Sequence, residues 1–207
     1  MQRLLALVIV ITLVSLTGCG LSHKNVPENY RFSAVSKRGL LVASLTYSGS
    51  CDYSHFVNLV GISNSYDALL SFNSPLDWKN GDNECPITPD NSSGRLLAIE
   101  LPVGKYRLDG YYFATAKGTT KPSEKQPIQL VIARGVTSYV GNIHIHATPD
   151  KIVRVFSSQH QRDIDLLQER YSMIDSATIK QTLLSPGSFT WILQPVGNDR
   201  DWTPDIL

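Results

Sequence analysis

Residues 128–147, IQLVIARGVTSYVGNIHIHA, decide how the rest of the chain is read. Residues 128–133 alternate in polarity, Arg134-Gly135 marks a turn, and residues 137–147 alternate again. In the second run Tyr139, Gly141, Ile143 and Ile145 share one face. Ser138, Asn142, His144 and His146 share the other, with Val140 among them. A side-chain period of two belongs to a strand with one buried and one wet face. The two histidines are therefore expected to point outward, into solvent.

Working outward, residues 40–47 (LLVASLTY) form a short apolar run bounded by Gly39 and Ser48. Residues 56–62 and 66–72 read as a hairpin about Asn64-Ser65. Residues 95–101 (RLLAIEL) end at Pro102, and extended sequence resumes over residues 106–116 after Pro102-Val103-Gly104. Residues 73–94 and 118–127 are polar loops, and residues 152–156 are a further strand. Short strands separated by turn signals at frequent intervals predict a mainly β, antiparallel sandwich. The C-terminal part differs. Ile164, Leu167 and Tyr171 recur at helical spacing, with Asp163, Asp165 and Glu169 expected to face water. This predicts an amphipathic helix over 161–171. Residues 176–184 suggest a second short helix stopped by Pro186-Gly187, residues 188–194 a last strand, and residues 198–207 an irregular tail.

Two resemblances add to this reading. Leu101-Pro102-Val103-Gly104-Lys105-Tyr106 resembles the L-P-x-G-x-Y hairpin of transthyretin-like and carboxypeptidase-regulatory-like sandwiches. The following stretch, residues 128–143, is similar to a segment of uncharacterised bacterial lipoproteins with such a domain. The likeness spans roughly residues 40–156 and implies a transthyretin-like sandwich, with no shared catalytic residue to carry over. The other resemblance lies at the start. Arg3 precedes an uncharged apolar run over residues 4–14, and Leu16-Thr17-Gly18-Cys19 follows. The run is too short to cross about 30 Å of hydrocarbon, so it reads as a secretory signal. Its last four residues resemble the lipobox of bacterial lipoproteins. The resemblance implies cleavage before Cys19, acylation of its sulfur, and a membrane partner reached through that lipid. Gly20 stands where enterobacterial lipoproteins kept at the inner membrane resemble one another in carrying Asp, which implies the outer membrane, facing the periplasm.

The expected organisation is a signal over residues 1–18, a lipidated N-terminus and polar tether over 19–37, and one sandwich domain with its helical part over 38–197. Residues 198–207 form the tail. The 207 residues hold 19 basic and 18 acidic side chains, and removing the signal takes away only Arg3. Net neutrality argues against nucleic acid and gives no overall pull toward anionic lipid. Charged residues make up 18%, below the roughly 25% of ordinary globular proteins.

Outside the cytoplasm, Cys51 and Cys85, both in turn-like sequence, are expected to form a disulfide. His144 and His146, two apart on one strand, are weak metal candidates, because a zinc site needs three or four ligands. No metal and no cofactor are expected. No nucleophile elbow, zinc-protease, phosphate-loop or dinucleotide motif is present, and Ser158, His160 and Asp163 are not read as a triad. Tyr111 and Phe113 fall on one strand face, as core under the C-terminal helix or as an exposed patch for an envelope protein partner or a glycan. The expected function is a non-catalytic binding or structural module of the cell envelope. The alternative is a periplasmic hydrolase or a metal-binding protein.

Overall fold

β1 (Arg38–Gly49) is buried on both faces, and this explains the layering. The computed structural model describes residues 25–49, 54–72, 92–115, 118–120, 128–148, 151–184 and 187–192, with the side chains of 109–115, 118–120, 151 and 187–192 left outside. Leu41, Ala43, Leu45 and Tyr47 of β1 enter one apolar cluster, while Leu40 and Val42 enter another. A strand covered on both sides reads as a continuous apolar run rather than an alternating one, which is how residues 40–47 read.

The remaining strands are β2 (Ser54–Gly61), β3 (Asp67–Ser71), β4 (Ser93–Pro102), β5 (Gly104–Thr115), β6 (Gly118–Thr120), β7 (Ile128–Ile132), β8 (Thr137–Ala147), β9 (Lys151–Ser157), β10 (Lys180–Gln181) and β11 (Gly187–Ile192). Among the described residues, one α-helix, α1 (His160–Arg170), lies near the C-terminus. One sheet runs β11-β9-β8-β1-β4, with β10 also on β8; the other runs β3-β2-β5-β6, with β7 on β5. The mainly β architecture with two packed sheets and a C-terminal helix agrees with the expected class. The sheets are not antiparallel throughout: β1 and β10 both pair β8 in parallel. Parallel neighbours need a long connection, and here the intervening chain builds the whole opposite sheet together with β4.

The sheets close on one core. Leu97, Ile99 and Leu101 of β4 and Ile143 and Ile145 of β8 meet Val57 and Leu59 of β2, Tyr106 and Leu108 of β5 and Leu130 and Ile132 of β7. Gly104 lies under the β2–β3 turn, where an added Cβ would come 2.5 Å from Ser63 Oγ. Tyr106 then folds back, its hydroxyl donating to the Pro102 carbonyl at 2.7 Å and accepting from Asn64 Nδ2 at 3.1 Å. The L-P-x-G-x-Y run thus ties two turns together at one end.

A second, smaller cluster covers the other side of β1. Leu40, Val42, Leu96, Ala98 and Tyr139 pack there against Leu167, Tyr171 and Ile174, joined by Val26, Tyr30 and Phe32. The expected tether is accordingly shorter than 19–37. Residues 25–37 form a strap along β4: Val26 N–H donates to the Ala98 carbonyl at 2.8 Å. The Asn25 side-chain amide donates to the Leu96 carbonyl at 2.8 Å and accepts from Ala98 N–H at 3.2 Å. One side chain thereby mimics a peptide and satisfies an edge strand that would otherwise present bare backbone groups. The sequence signal was present in Val26, Tyr30 and Phe32, three apolar side chains within a polar segment.

Residues 176–184 do not form a helix beyond a 3₁₀ turn at Ser176–Thr178. The chain extends instead as β10, with Thr182 N–H on the Tyr139 carbonyl (2.8 Å) and Leu184 N–H on the Val140 carbonyl (3.0 Å). Those carbonyls are open because β9 pairs β8 only from Asn142 onward, and β8 carries a bulge just before that point. Val42 pairs Tyr139 but Ser44 pairs Asn142, so β8 gains one residue there. Gly141 takes φ +101 at this point, and a Cβ on it would lie 2.8 Å from the Ser157 carbonyl. The extra residue reverses the alternation. Val140 therefore enters the core between the sheets, while Tyr139 joins Asn142 and His144 on the opposite face. Tyr139 was expected on the face of Ile143 and Ile145; the bulge is why it is not.

Candidate functional site

The outer face of β1 changes character midway. Leu40 and Val42 give way to Ser44, Thr46 and Ser48, all fully buried. Their parallel neighbours on β8 are Asn142, His144 and His146. Two rows of polar side chains face each other along the sheet and form one hydrogen-bonded ladder. Ser44 Oγ lies 2.8 Å from Asn142 Oδ1, and Thr46 Oγ1 lies 3.1 Å from it. Thr46 Oγ1 is 2.8 Å from His144 Nδ1, Ser48 Oγ is 3.1 Å from His144 Nε2, and Ser48 Oγ is 2.8 Å from His146 Nδ1.

α1 closes the ladder at the Ser44 end. Asp163, fully buried, accepts from Ser44 Oγ at 2.7 Å and from the Tyr139 hydroxyl at 2.7 Å. Arg162 donates from Nε to Asp163 Oδ1 at 2.9 Å and from Nη2 to Ser44 Oγ at 2.8 Å. The first turn of the helix is held from beneath, since Gln159 N–H donates to the Tyr139 hydroxyl at 3.1 Å. The His160 ring lies edge-on to Tyr139, 5.3 Å between centroids. Asp163 was expected to face water. It stands one turn before Leu167 and two before Tyr171, on the buried stripe. That i, i+4 relation to Leu167 is the sequence signal for its burial.

Electrostatics follow from burial. Desolvation, then the neighbouring His146 and Arg162, lowers the His144 pKa from 6.5 to about 4, so the ring is neutral near neutral pH. A neutral imidazole has one donor and one acceptor nitrogen. If Thr46 gives its single proton to Asn142, it accepts from His144 Nδ1–H. His144 Nε2 then accepts from Ser48, which accepts from His146 Nδ1–H in turn. Every link in that series has a donor and an acceptor. Burial, reinforced by Asp163, raises the Tyr139 pKa and keeps the phenol a donor.

This arrangement fixes groups more than it offers them. Both ring nitrogens of His144 already face hydroxyls, and Ser48, which stands against His144 in the manner of a nucleophile beside a base, is sealed from solvent. Solvated, outward histidines were expected; His144 is only 7% exposed and His146 half-buried. Among the described residues no three His, Cys, Asp or Glu side chains are gathered to hold a metal. Asp163 bonds Ser44 and Tyr139 rather than His160, and Ser158 is exposed, so these three make no triad. Polar groups also occur between the sheets, where Arg95 and Arg154 are buried and Arg154 lies 5.0 Å over the Phe156 ring.

The other expected site residues fare differently. Cys19 lies outside the described residues. The expected Cys51–Cys85 disulfide is not formed: none of the three cysteines is paired at disulfide distance, and such a bond requires Cα atoms within about 7 Å. Both positions also lie outside the described residues. Tyr111 and Phe113 belong to β5, with side chains outside the description. The helix expected as one possible cover for them packs on the other sheet, against Leu40, Leu96 and Tyr139.

The fold and ladder define a mainly β domain of two packed sheets, its C-terminal helix pinned by a buried aspartate. No family model matches the chain, and no curated protein matches it. Among solved structures it is similar to a leucine-rich repeat protein from Bacteroides thetaiotaomicron VPI-5482. That likeness has a TM-score of 0.32 at 12% identity, covering 55% of this chain and 14% of the other, and it carries no argument about fold or function.

Proposed function

We propose that this protein is a lipid-anchored component of the cell envelope, held through Cys19 at the periplasmic face of the outer membrane. Its transthyretin-like sandwich serves as a binding or structural module. The observation that carries this reading is Leu16-Thr17-Gly18-Cys19 directly after an uncharged apolar run. Among the described residues, no helix is long and apolar enough to cross a membrane. The ladder favours a non-catalytic role. Its hydroxyls and imidazoles bind one another, and the fully buried Ser44, Thr46 and Ser48 offer no nucleophile to a substrate.

The test is metabolic labelling with a fatty acid, followed by membrane fractionation. The wild-type chain should take up label and sediment with outer membranes. Cys19→Ser should take up none and keep residues 1–18. Normal labelling of that variant would refute the anchor, and turnover of a generic ester, peptide or glycan by the purified chain would refute the non-catalytic assignment.

A further inference from the structure

The strands bring four turns to one end of the sandwich. Arg38 pairs Pro102, so the start of β1 lies beside the β4–β5 turn. Ile62 N–H donates to the Lys105 carbonyl at 2.8 Å, and Lys105 N–H to Ser63 Oγ at 2.8 Å, which sets the β2–β3 turn against the same place. Gly135 N–H donates to the Arg38 carbonyl at 2.9 Å, adding the β7–β8 turn. Gly135 also lies so close under the Ala34 carbonyl that a Cβ would collide with it, which adds the strap turn. Lys105 pairs Val131 across β5 and β7.

Three of these turns present an exposed aliphatic side chain, and β7 adds a fourth on the adjoining sheet face. Val35 is 80% exposed, Ile62 46%, Val103 45% and Val131 55%. Single exposed aliphatics are ordinary; four drawn together by topology are not a scatter. Their rim is basic. Lys37, Lys105 and Arg134 are exposed among them, and Lys180 is exposed on β10 beside Ser138. The described acids at this end are Asp67, Asp175 and Glu100, and Glu100 is already occupied by Arg38 at 3.5 Å. Among the described residues, this end therefore carries more basic than acidic side chains.

We propose that this end of the sandwich is a membrane-facing surface that rests on an anionic phospholipid bilayer, the aliphatic turns entering the headgroup boundary and Lys37, Lys105 and Arg134 engaging the phosphates. Apolar tips with a basic rim suit such a surface: each Lys or Arg near anionic lipid attracts it, and short-range apolar burial adds to this. The inference deepens the lipid-anchored reading and rests on it for one argument, that of reach. The described strap begins at Asn25, six peptide steps after Cys19, which span about 20 Å at most. Asn25 sits on β4 at Leu96 and Ala98, roughly 13–20 Å along the strand from Pro102. Fully extended, the six steps from the anchor are long enough to reach the plane of the basic end.

The experiment is hydrogen exchange by mass spectrometry on the full acylated chain. It compares vesicles of phosphatidylglycerol with phosphatidylethanolamine, vesicles of phosphatidylcholine alone, and detergent. Amides of residues 33–37, 62–65, 103–105 and 133–136 should exchange several-fold more slowly on the anionic vesicles than on either other support. Lys37→Glu/Lys105→Glu/Arg134→Glu should abolish that difference while matching wild type in detergent, which shows that it folds. Equal exchange on anionic and neutral vesicles, or protection that survives the triple substitution, would overturn the proposal. Intact mass reports acylation separately. An unacylated chain would refute the anchor, and the exchange comparison would still decide the surface.

Discussion

Asp163→Ala should be among the most damaging single changes available outside the core between the sheets. The carboxylate is fully buried and collects Ser44, Tyr139 and Arg162 at 2.7–2.9 Å. Removing one member of a buried charged pair costs about 3–5 kcal/mol, because the remaining groups stay desolvated. Two features place this case near the low end. Arg162 is one-third exposed and can rehydrate, and Ser44 keeps Asn142 as an acceptor. Tyr139 has no such relief, since it is fully buried with its hydroxyl aimed at the lost carboxylate. The expected loss is about 3 kcal/mol, or roughly 6–12 °C in Tm for a chain of this size. Tyr139→Phe alone should cost about 1.5–3 kcal/mol, the range for a hydrogen bond to a charged group. The two losses should not add, because both remove the same bond, and a coupling of about 1 kcal/mol or more is expected. Urea unfolding of the full chain in mild detergent, run for wild type, both single variants and the double variant, supplies the cycle. Full additivity, or a loss below about 1 kcal/mol for Asp163→Ala, would show that the aspartate does not pin α1 to the sheet.

Three further outcomes follow from particular residues. The His144 pKa is lowered in the folded chain, so the unfolded chain takes up the proton first on acidification; stability is full above about pH 6.5, falls toward pH 4 by up to about 3 kcal/mol, and levels below that. Unfolding titrations across this range should show the decline, and His144→Gln should flatten it. Gly141→Ala should cost about 1–3 kcal/mol by forcing a side chain into φ +101 and against the Ser157 carbonyl, read as a lower urea midpoint; an unchanged midpoint would argue against the bulge. Tyr106→Phe, which removes the bond to the Pro102 carbonyl while keeping the ring, should cost about 1 kcal/mol and speed exchange at the β4–β5 and β2–β3 turns.

The Leu16-Thr17-Gly18-Cys19 run after an apolar stretch, the period-two strands and the amphipathic stripe of Ile164, Leu167 and Tyr171 are local patterns. They depend on residues a few positions apart, so sequence alone determined the strand-rich class, the hairpin about Asn64-Ser65 and the helix near the C-terminus. The turn chemistry of Leu101 to Tyr106 is of the same kind, since Tyr106 bonds a carbonyl only four residues back. What tertiary structure decided depends on partners far apart in the chain. β1 lies parallel to β8 because the opposite sheet is built between them, and a one-residue bulge at Gly141 reverses the alternation of faces along β8. Asp163 is buried because Ser44 and Tyr139 await it, 119 and 24 residues away. Ser44 and Thr46 fall inside a run that reads as apolar, Ser48 reads as its boundary, and His144 as a solvated position. Only the parallel pairing sets them opposite one another, where their hydrogen bonds can satisfy each other in the absence of water. Residues 25–37 read as tether because polar sequence is loop by default. They became part of the domain because β4 had an edge to cover, and Asn25 carries an amide shaped like the backbone it meets.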